Sequence, residues 1–162
     1  MPATLPQKLV YSLRVDLDDD LYRVLEVRSD QTLEELHEGI AAAFERDDVD
    51  LPYRFFLPQP GAWGRSVLND AAEYAEERVA RHFGVHNAER TTLGDLGLRV
   101  RRRFFYVFDC GDELWHELRV VAKAPVAKGQ RKRDYPRVVE SHGEAPPQWS
   151  DDVELEEPSE AW

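Results

Sequence analysis

Two alternating segments joined by three aspartates constrain this chain more than any other feature. In KLVYSLRVDL the apolar residues Leu9, Tyr11, Leu13 and Val15 fall on one side and polar residues on the other, the period of a half-buried strand. LYRVLEV, Leu21 to Val27, is a second such strand. Asp18, Asp19 and Asp20 between them must face water, so the pair reads as a hairpin whose inner face needs a cover.

The cover follows directly in sequence. Thr32 stands three positions before Glu35, the pattern of a capping box in which hydroxyl and carboxylate satisfy two backbone donors at a helix start. Leu33, Leu36, His37, Ile40 and Phe44 then recur at helical spacing, which predicts a helix ending near Arg46 with one buried stripe. LPYRFFLP supplies a third strand. Asp70 to Phe83 reads as a short helix rich in Ala and Glu, and TTLGDLGL as one helical turn capped by Thr91 or Thr92. RRFFYVFD and ELWHELRVVA are two strands around Cys110-Gly111-Asp112, where Gly and Asp suit a tight bend. The order predicts an α+β fold, a β-grasp-like mixed sheet packed on one main helix with short extra helices. A single domain over 1–148 is expected, with 149–162 as an acidic tail too poor in apolar residues to pack by itself.

Composition narrows the function classes. The chain has 162 residues, 33% of them charged, and a formal charge of -11. No apolar run reaches the roughly 18 residues of a membrane span and the start lacks the layout of a secretion signal, so a cytoplasmic protein without membrane association is expected. With Cys110 the only cysteine, neither an internal disulfide nor a cysteine-based zinc site is available. From Arg99 to Arg137 eleven Lys or Arg face five Asp or Glu, a local excess of six positive charges that leaves about seventeen negative ones elsewhere.

Two groups of residues are candidates for chemistry. His37 lies on the apolar stripe of the helix, and His116 shares a strand face with Leu114, Leu118 and Val120. If the helix covers the sheet, these imidazoles together with Asp109 and Asp112 form a polar cluster. That cluster is either a nitrogen and oxygen ligand set for a divalent metal or a pair of satisfied core histidines beside a hairpin turn. The spacing favours the second, because two histidines one helical turn apart with an intervening Glu are missing. Cys110 beside Asp109 and Asp112 is poorly placed to become a thiolate. The second group is basic: Arg101, Arg102 and Arg103, with Lys128, Arg131, Lys132, Arg133 and Arg137 in KGQRKRDYPR. It suits either salt-sensitive phosphate binding or a solvated connector that pairs with the acidic tail.

The ordered set TLEELHEGIAAAF, YRFFL, a Gly-Ala-Trp loop, TTLGDLGLRV, RRFFYVFDCGDELWHELRV and YPRVVESHGEAPPQ resembles the plasmid open-reading-frame-three-like family, nearest its branch of TnpR-type passenger proteins of an insertion element. The resemblance runs from about Leu9 to Gln148, and its most specific pieces are the Asp-x-Gly-Asp hairpin with its following His and the run Gly143 to Gln148. The family usually carries phenylalanine in place of Cys110 and tryptophan in place of Leu114. Here the indole comes one residue later, at Trp115, and so turns to the opposite strand face. The TnpR label implies a resolvase, whose serine attacks DNA from a strand of the type Tyr-x-Arg-Val-Ser. In Tyr11-Ser12-Leu13-Arg14-Val15-Asp16 a carboxylate stands where that hydroxyl would be, and the carboxy-terminal region lacks a helix-turn-helix pattern, so serine recombination is excluded.

The sequence thus implies a non-enzymatic binding or adaptor protein associated with mobile genetic elements, needing no cofactor, with a protein partner or nucleic acid as its target. The alternative is a metal-dependent hydrolase or nuclease built on His37, Asp109, Asp112 and His116. If the acidic stretch masks the basic segment, deleting Asp151 to Trp162 raises affinity for DNA or RNA at low salt in a filter-binding assay. Equal, undetectable binding by both forms would contradict that masking.

Overall fold

The computed structural model describes residues 8–46, 51–59, 68, 70–109 and 111–145. Strand β1 (Leu9–Asp18) pairs antiparallel with β2 (Leu21–Arg28), placing Leu13 opposite Leu25. Tyr11, Leu13 and Val15 are buried as their alternation predicts. The aspartate tip closes on itself, the Asp18 carboxylate accepting the Asp20 N–H. Helix α1 (Leu33–Ala43) begins with the expected capping box: Glu35 N–H donates to Thr32 Oγ1 and Thr32 N–H to Glu35 Oε1, at 3.1 and 2.9 Å. The predicted stripe is buried, from Leu33 through His37 to Phe44. Phe44 caps the helix, and the chain turns back so that Arg46 N–H reaches the Ala41 carbonyl.

Beyond β3 (Tyr53–Leu57) the structure corrects the reading of Asp70 to Phe83 as one helix. Ala72–Ala75 form β4, antiparallel to β3, and only Glu77–Phe83 form a helix, α2. Ala and Glu favour helix locally, but four residues beside β3 complete its ladder, and that tertiary pairing overrides propensity. The Glu76 carboxylate then caps α2, and Gly84, at φ 72°, ends it in the left-handed conformation. The two residues of β5 (His86–Asn87) lie parallel to β4. A single 3-10 turn, Leu93–Leu96, capped by Thr92, leads to β6 (Arg103–Asp109) and β7 (Glu113–Pro125).

The described strands form one sheet of eight in the order β5-β4-β3-β6-β7-β1-β2-β8, antiparallel except at β4–β5. The fold is therefore mixed α+β with a mostly antiparallel sheet and, among the described residues, two α-helices. Helix α1 covers the inner face of that sheet and closes the main core. On the outer face Phe56, Phe105 and Val107 form a smaller cluster with Trp115, Leu68 and Ala71.

The last strand, β8 (Arg137–His142), pairs with β2 and was not legible in the sequence. Nor is Lys128 to Arg137 a loose connector, because Tyr135 is buried and Gln31, itself buried, donates its amide to the Tyr135 carbonyl at 2.6 Å. The same amide reaches the Lys132 carbonyl, while the Gln31 carbonyl oxygen accepts the Arg28 N–H. Gly39, in the middle of α1, lets the Pro136 ring seat against the helix: a Cβ there would stand 2.7 Å from Pro136 Cβ. Glycine inside a helix ordinarily costs about 0.5–1 kcal/mol relative to alanine. Here the sign reverses, and Gly39→Ala is expected to destabilise by about 1–3 kcal/mol in urea unfolding. A gain in stability would mean that the ring is not seated there.

Candidate functional site

The register of β6 and β7 sets the polar interior. Tyr106 of β6 stands opposite His116 of β7, both on the inner face, and α1 brings His37 above them. His37 Nδ1 lies 2.6 Å from the Tyr106 hydroxyl, and its ring stacks on Tyr53 with centroids 3.9 Å apart. Arg46, folded back beneath Phe44, places Nη2 2.8 Å from His116 Nε2 and also hydrogen-bonds Tyr106. A guanidinium can only donate, so His116 Nε2 accepts, and the ring's Nδ1–H points to the Tyr106 carbonyl at 3.3 Å. The rings of Phe44 and Phe108 lie 5.0 Å from the Arg46 guanidinium.

These contacts decide protonation. Burial first, then the neighbouring Arg46 charge, pushes His116 down to about 3, so the imidazole is neutral at physiological pH. Burial raises the Tyr106 and Tyr53 hydroxyls well above the ordinary phenol range. A neutral imidazole whose lone pair already accepts a guanidinium proton is a poor general base. His37, Tyr106, Arg46 and His116 form a buried hydrogen-bond network, with both histidines almost fully buried.

The four residues expected to cluster divide into two pairs. His37 and His116 meet through Tyr106. Asp109 follows the other parity of β6, with Arg103, Phe105 and Val107, so its carboxylate belongs to the hairpin end, where it accepts the Gly111 N–H at 3.1 Å. Asp112 is exposed at the same bend, and Cys110 lies outside the described residues. Among the described residues no three His, Cys, Asp or Glu side chains are grouped to hold a metal ion.

The basic residues also separate. Arg137 binds Glu26 at 2.8 Å on the β2–β8 edge, and Lys128, Arg131, Lys132 and Arg133 are exposed around the turn before β8. Arg103 lies four strand positions away in the sheet order, roughly 19 Å at ordinary strand spacing. Arg102 donates to the Pro58 carbonyl. Arg101 sits at φ 81°, held by its N–H to the Val120 carbonyl at 2.7 Å.

Sequence reasoning missed the outer face of β1, β7 and β6. Arg14 and Arg103 are the two register partners of Arg119, giving a row of three arginines across three strands. The next row holds Asp16, Glu117 and Phe105, and beyond Glu117 on β7 comes Trp115. These rows line an open cleft of about 580 Å3. Arg14 pairs with Asp16 at 2.9 Å and lies over the Tyr22 ring, while Arg103 pairs with Glu117 at 3.7 Å. Arg119 makes no ion pair with a described residue. Burial and Asp16 hold the Glu117 carboxyl above its usual range, against the opposing pull of Arg103, Arg119 and Arg14. The available signal was the polar half of each alternating strand; which polar residues become neighbours is fixed only by the pairing.

Comparison with known proteins gives a family profile and a fold relative. The profile described as plasmid pRiA4b ORF-3-like protein matches residues 9–156. A crystal structure of a protein of unknown function from Methanosarcina mazei Go1 superposes with a TM-score of 0.66 at 19% identity, over 88% of this chain and 74% of that one. No match was found among curated proteins.

The depressed basicity of His116 makes acid stability a direct readout of the interior. An unfolded histidine takes up a proton below about pH 6.5 while folded His116 does not until about pH 3, so stability is lost as pH falls through that window. At pH 4.5 the loss is on the order of a few kcal/mol. His116→Gln is expected to be less stable than the parent at pH 7.5 by about 1–3 kcal/mol, with the deficit shrinking or reversing at pH 4.5. A deficit independent of pH in urea unfolding would contradict this assignment.

Proposed function

The chain belongs to the plasmid pRiA4b ORF-3-like family, and from that premise we propose that it is a non-enzymatic binding or adaptor module of mobile genetic elements that works through the outer face of its sheet. One observation carries the reading. His37 is bonded to Tyr106 and His116 is bonded at both nitrogens under α1, whereas the outer rows of β1, β7 and β6 leave charged and aromatic side chains around an open cleft. Binding sites combine apolar surface with a few placed polar groups in this way. The narrower assignment to TnpR-type passenger proteins rests on the Asp-x-Gly-Asp hairpin and the run from Gly143 to Gln148. A metal-dependent hydrolase using His37, Asp109, Asp112 and His116 draws no support from a geometry with the imidazoles buried under α1 and the aspartates at the hairpin end.

Arg119→Glu alters the cleft at the arginine that makes no ion pair with a described residue, so it leaves the core intact. Affinity capture from the native host with the parent chain is expected to recover a defined protein or nucleic acid, and Arg119→Glu, with unchanged thermal unfolding, is expected to lose it. Recovery of the same species by both forms, or turnover of a phosphodiester by the parent chain, would contradict the proposal.

A further inference from the structure

The outer cleft is graded along the strands. At one end Arg14, Arg119 and Arg103 stand abreast; two residues on come the Asp16 and Glu117 carboxylates; two further on β7 comes the Trp115 indole, with Phe105 beside Glu117. Successive rows are about 6.7 Å apart, twice the rise of a strand residue. Like charges directly opposite one another on neighbouring strands are destabilising. Arg14 and Arg103 turn their guanidiniums to the carboxylates of the next row, Asp16 and Glu117, while Arg119, between them in register, makes no ion pair with a described residue. An anion at Arg119 would supply a counter-charge that no described carboxylate provides within ion-pair distance, and the planar fork of arginine suits phosphate.

The middle row adds a second requirement. Glu117 is only half exposed, faces Arg103 at 3.7 Å, and lies opposite both Asp16 and Phe105. Two carboxylates set one row beyond a phosphate-sized anion are acceptors for hydroxyl donors, the role an acidic side chain plays toward ribose hydroxyls elsewhere. The far row offers a flat surface, because Trp115 stacks on Phe56 at 5.5 Å between centroids, which fixes its plane. Aromatic side chains held in this way accept bases by stacking. Asp18 and Asp19 at the rim disfavour a run of several phosphates across the aromatic end, so the cleft takes its anionic group at the arginine end alone. The volume of about 580 Å3 lies within the roughly 300–1,000 Å3 usual for small-ligand sites.

We propose that this cleft binds a ribonucleotide, with its phosphate on Arg119 between Arg14 and Arg103, its ribose hydroxyls on Glu117 and Asp16, and its base against Trp115. The ligand is either free nucleotide or one unit of an RNA strand, which present the same chemistry. The inference rests on the outer face being the binding face and goes further by naming what it holds.

Isothermal titration of the full chain at low salt with AMP, 2′-deoxy-AMP, inorganic phosphate and an octamer of riboadenylate tests it. AMP is expected to bind, inorganic phosphate and 2′-deoxy-AMP each about tenfold more weakly or worse. Arg119→Lys keeps the charge but loses the fork, and is expected to weaken AMP about tenfold without moving the unfolding temperature. Glu117→Gln is expected to narrow the gap between AMP and its deoxy form. Binding of the octamer at least tenfold tighter than AMP identifies RNA as the source, and equal binding identifies the free nucleotide. Phosphate binding as tightly as AMP, equal binding of the two sugars, or no binding of AMP and octamer would each overturn the proposal. If these ligands fail while Arg119→Glu still loses its captured species, the ligand class is wrong and the binding face stands; if that variant also keeps its species, both readings fall.

Discussion

The pairing of β7 with its two neighbours is the constraint on which the molecule depends. Placing His116 opposite Tyr106 on one side and Glu117 opposite Asp16 on the other sends alternate residues of one strand to two different environments. A slip of one residue would exchange them, moving His116 to the outside and Glu117 and Arg119 into the core. Neither side tolerates that exchange. The interior holds a neutral imidazole already bonded at both nitrogens, and the exterior holds three arginines in register. The polar groups on each face therefore specify the register as firmly as the apolar residues Leu118 and Val120 do.

The same division governs what each face can do. A buried network in which Arg46 donates to His116 and Tyr106 orients three elements, α1, β6 and β7, against one another. His116 cannot also serve a substrate without breaking those bonds. The outer face carries no such obligation at Arg119, and its aromatic end is stiffened by the Phe56–Trp115 stack. At the far edge, Gln31 ties the turn before β8 to the start of α1, and the seat of Pro136 on Gly39 holds the basic segment against the helix. The segment rich in Lys and Arg is thereby a positioned part of the fold, separated from Arg101, Arg102 and Arg103 by the width of several strands.

What could be read from the sequence was local. The β1–β2 hairpin, the Thr32–Glu35 capping box, the turn at Leu93 and the β6–β7 hairpin each declare themselves within a dozen residues, and each formed as expected. His37 and His116 were also recognisable as members of apolar rows. Strands β4, β5 and β8 were not legible, since β4 and β5 are short, β8 lacks a buried face, and each owes its conformation to the neighbour it completes. The AEYA of β4 carries a helical composition, and the RVVESH of β8 is exposed throughout. The partners that join the two histidines were equally hidden, because Tyr106 lies on another strand and Arg46 looks like an ordinary helix end. The arginine row spans β1, β7 and β6, more than a hundred residues of sequence brought together only by the register.

The account's central claim is that function resides on the outer face and that the inner imidazoles hold the sheet together. Backbone amide NMR of the full chain, recorded as the species captured from the host is added, tests it most directly. Perturbations centred on Arg14, Trp115, Glu117 and Arg119 are the predicted result. Perturbations centred instead on His37, Tyr106 and His116 would contradict it.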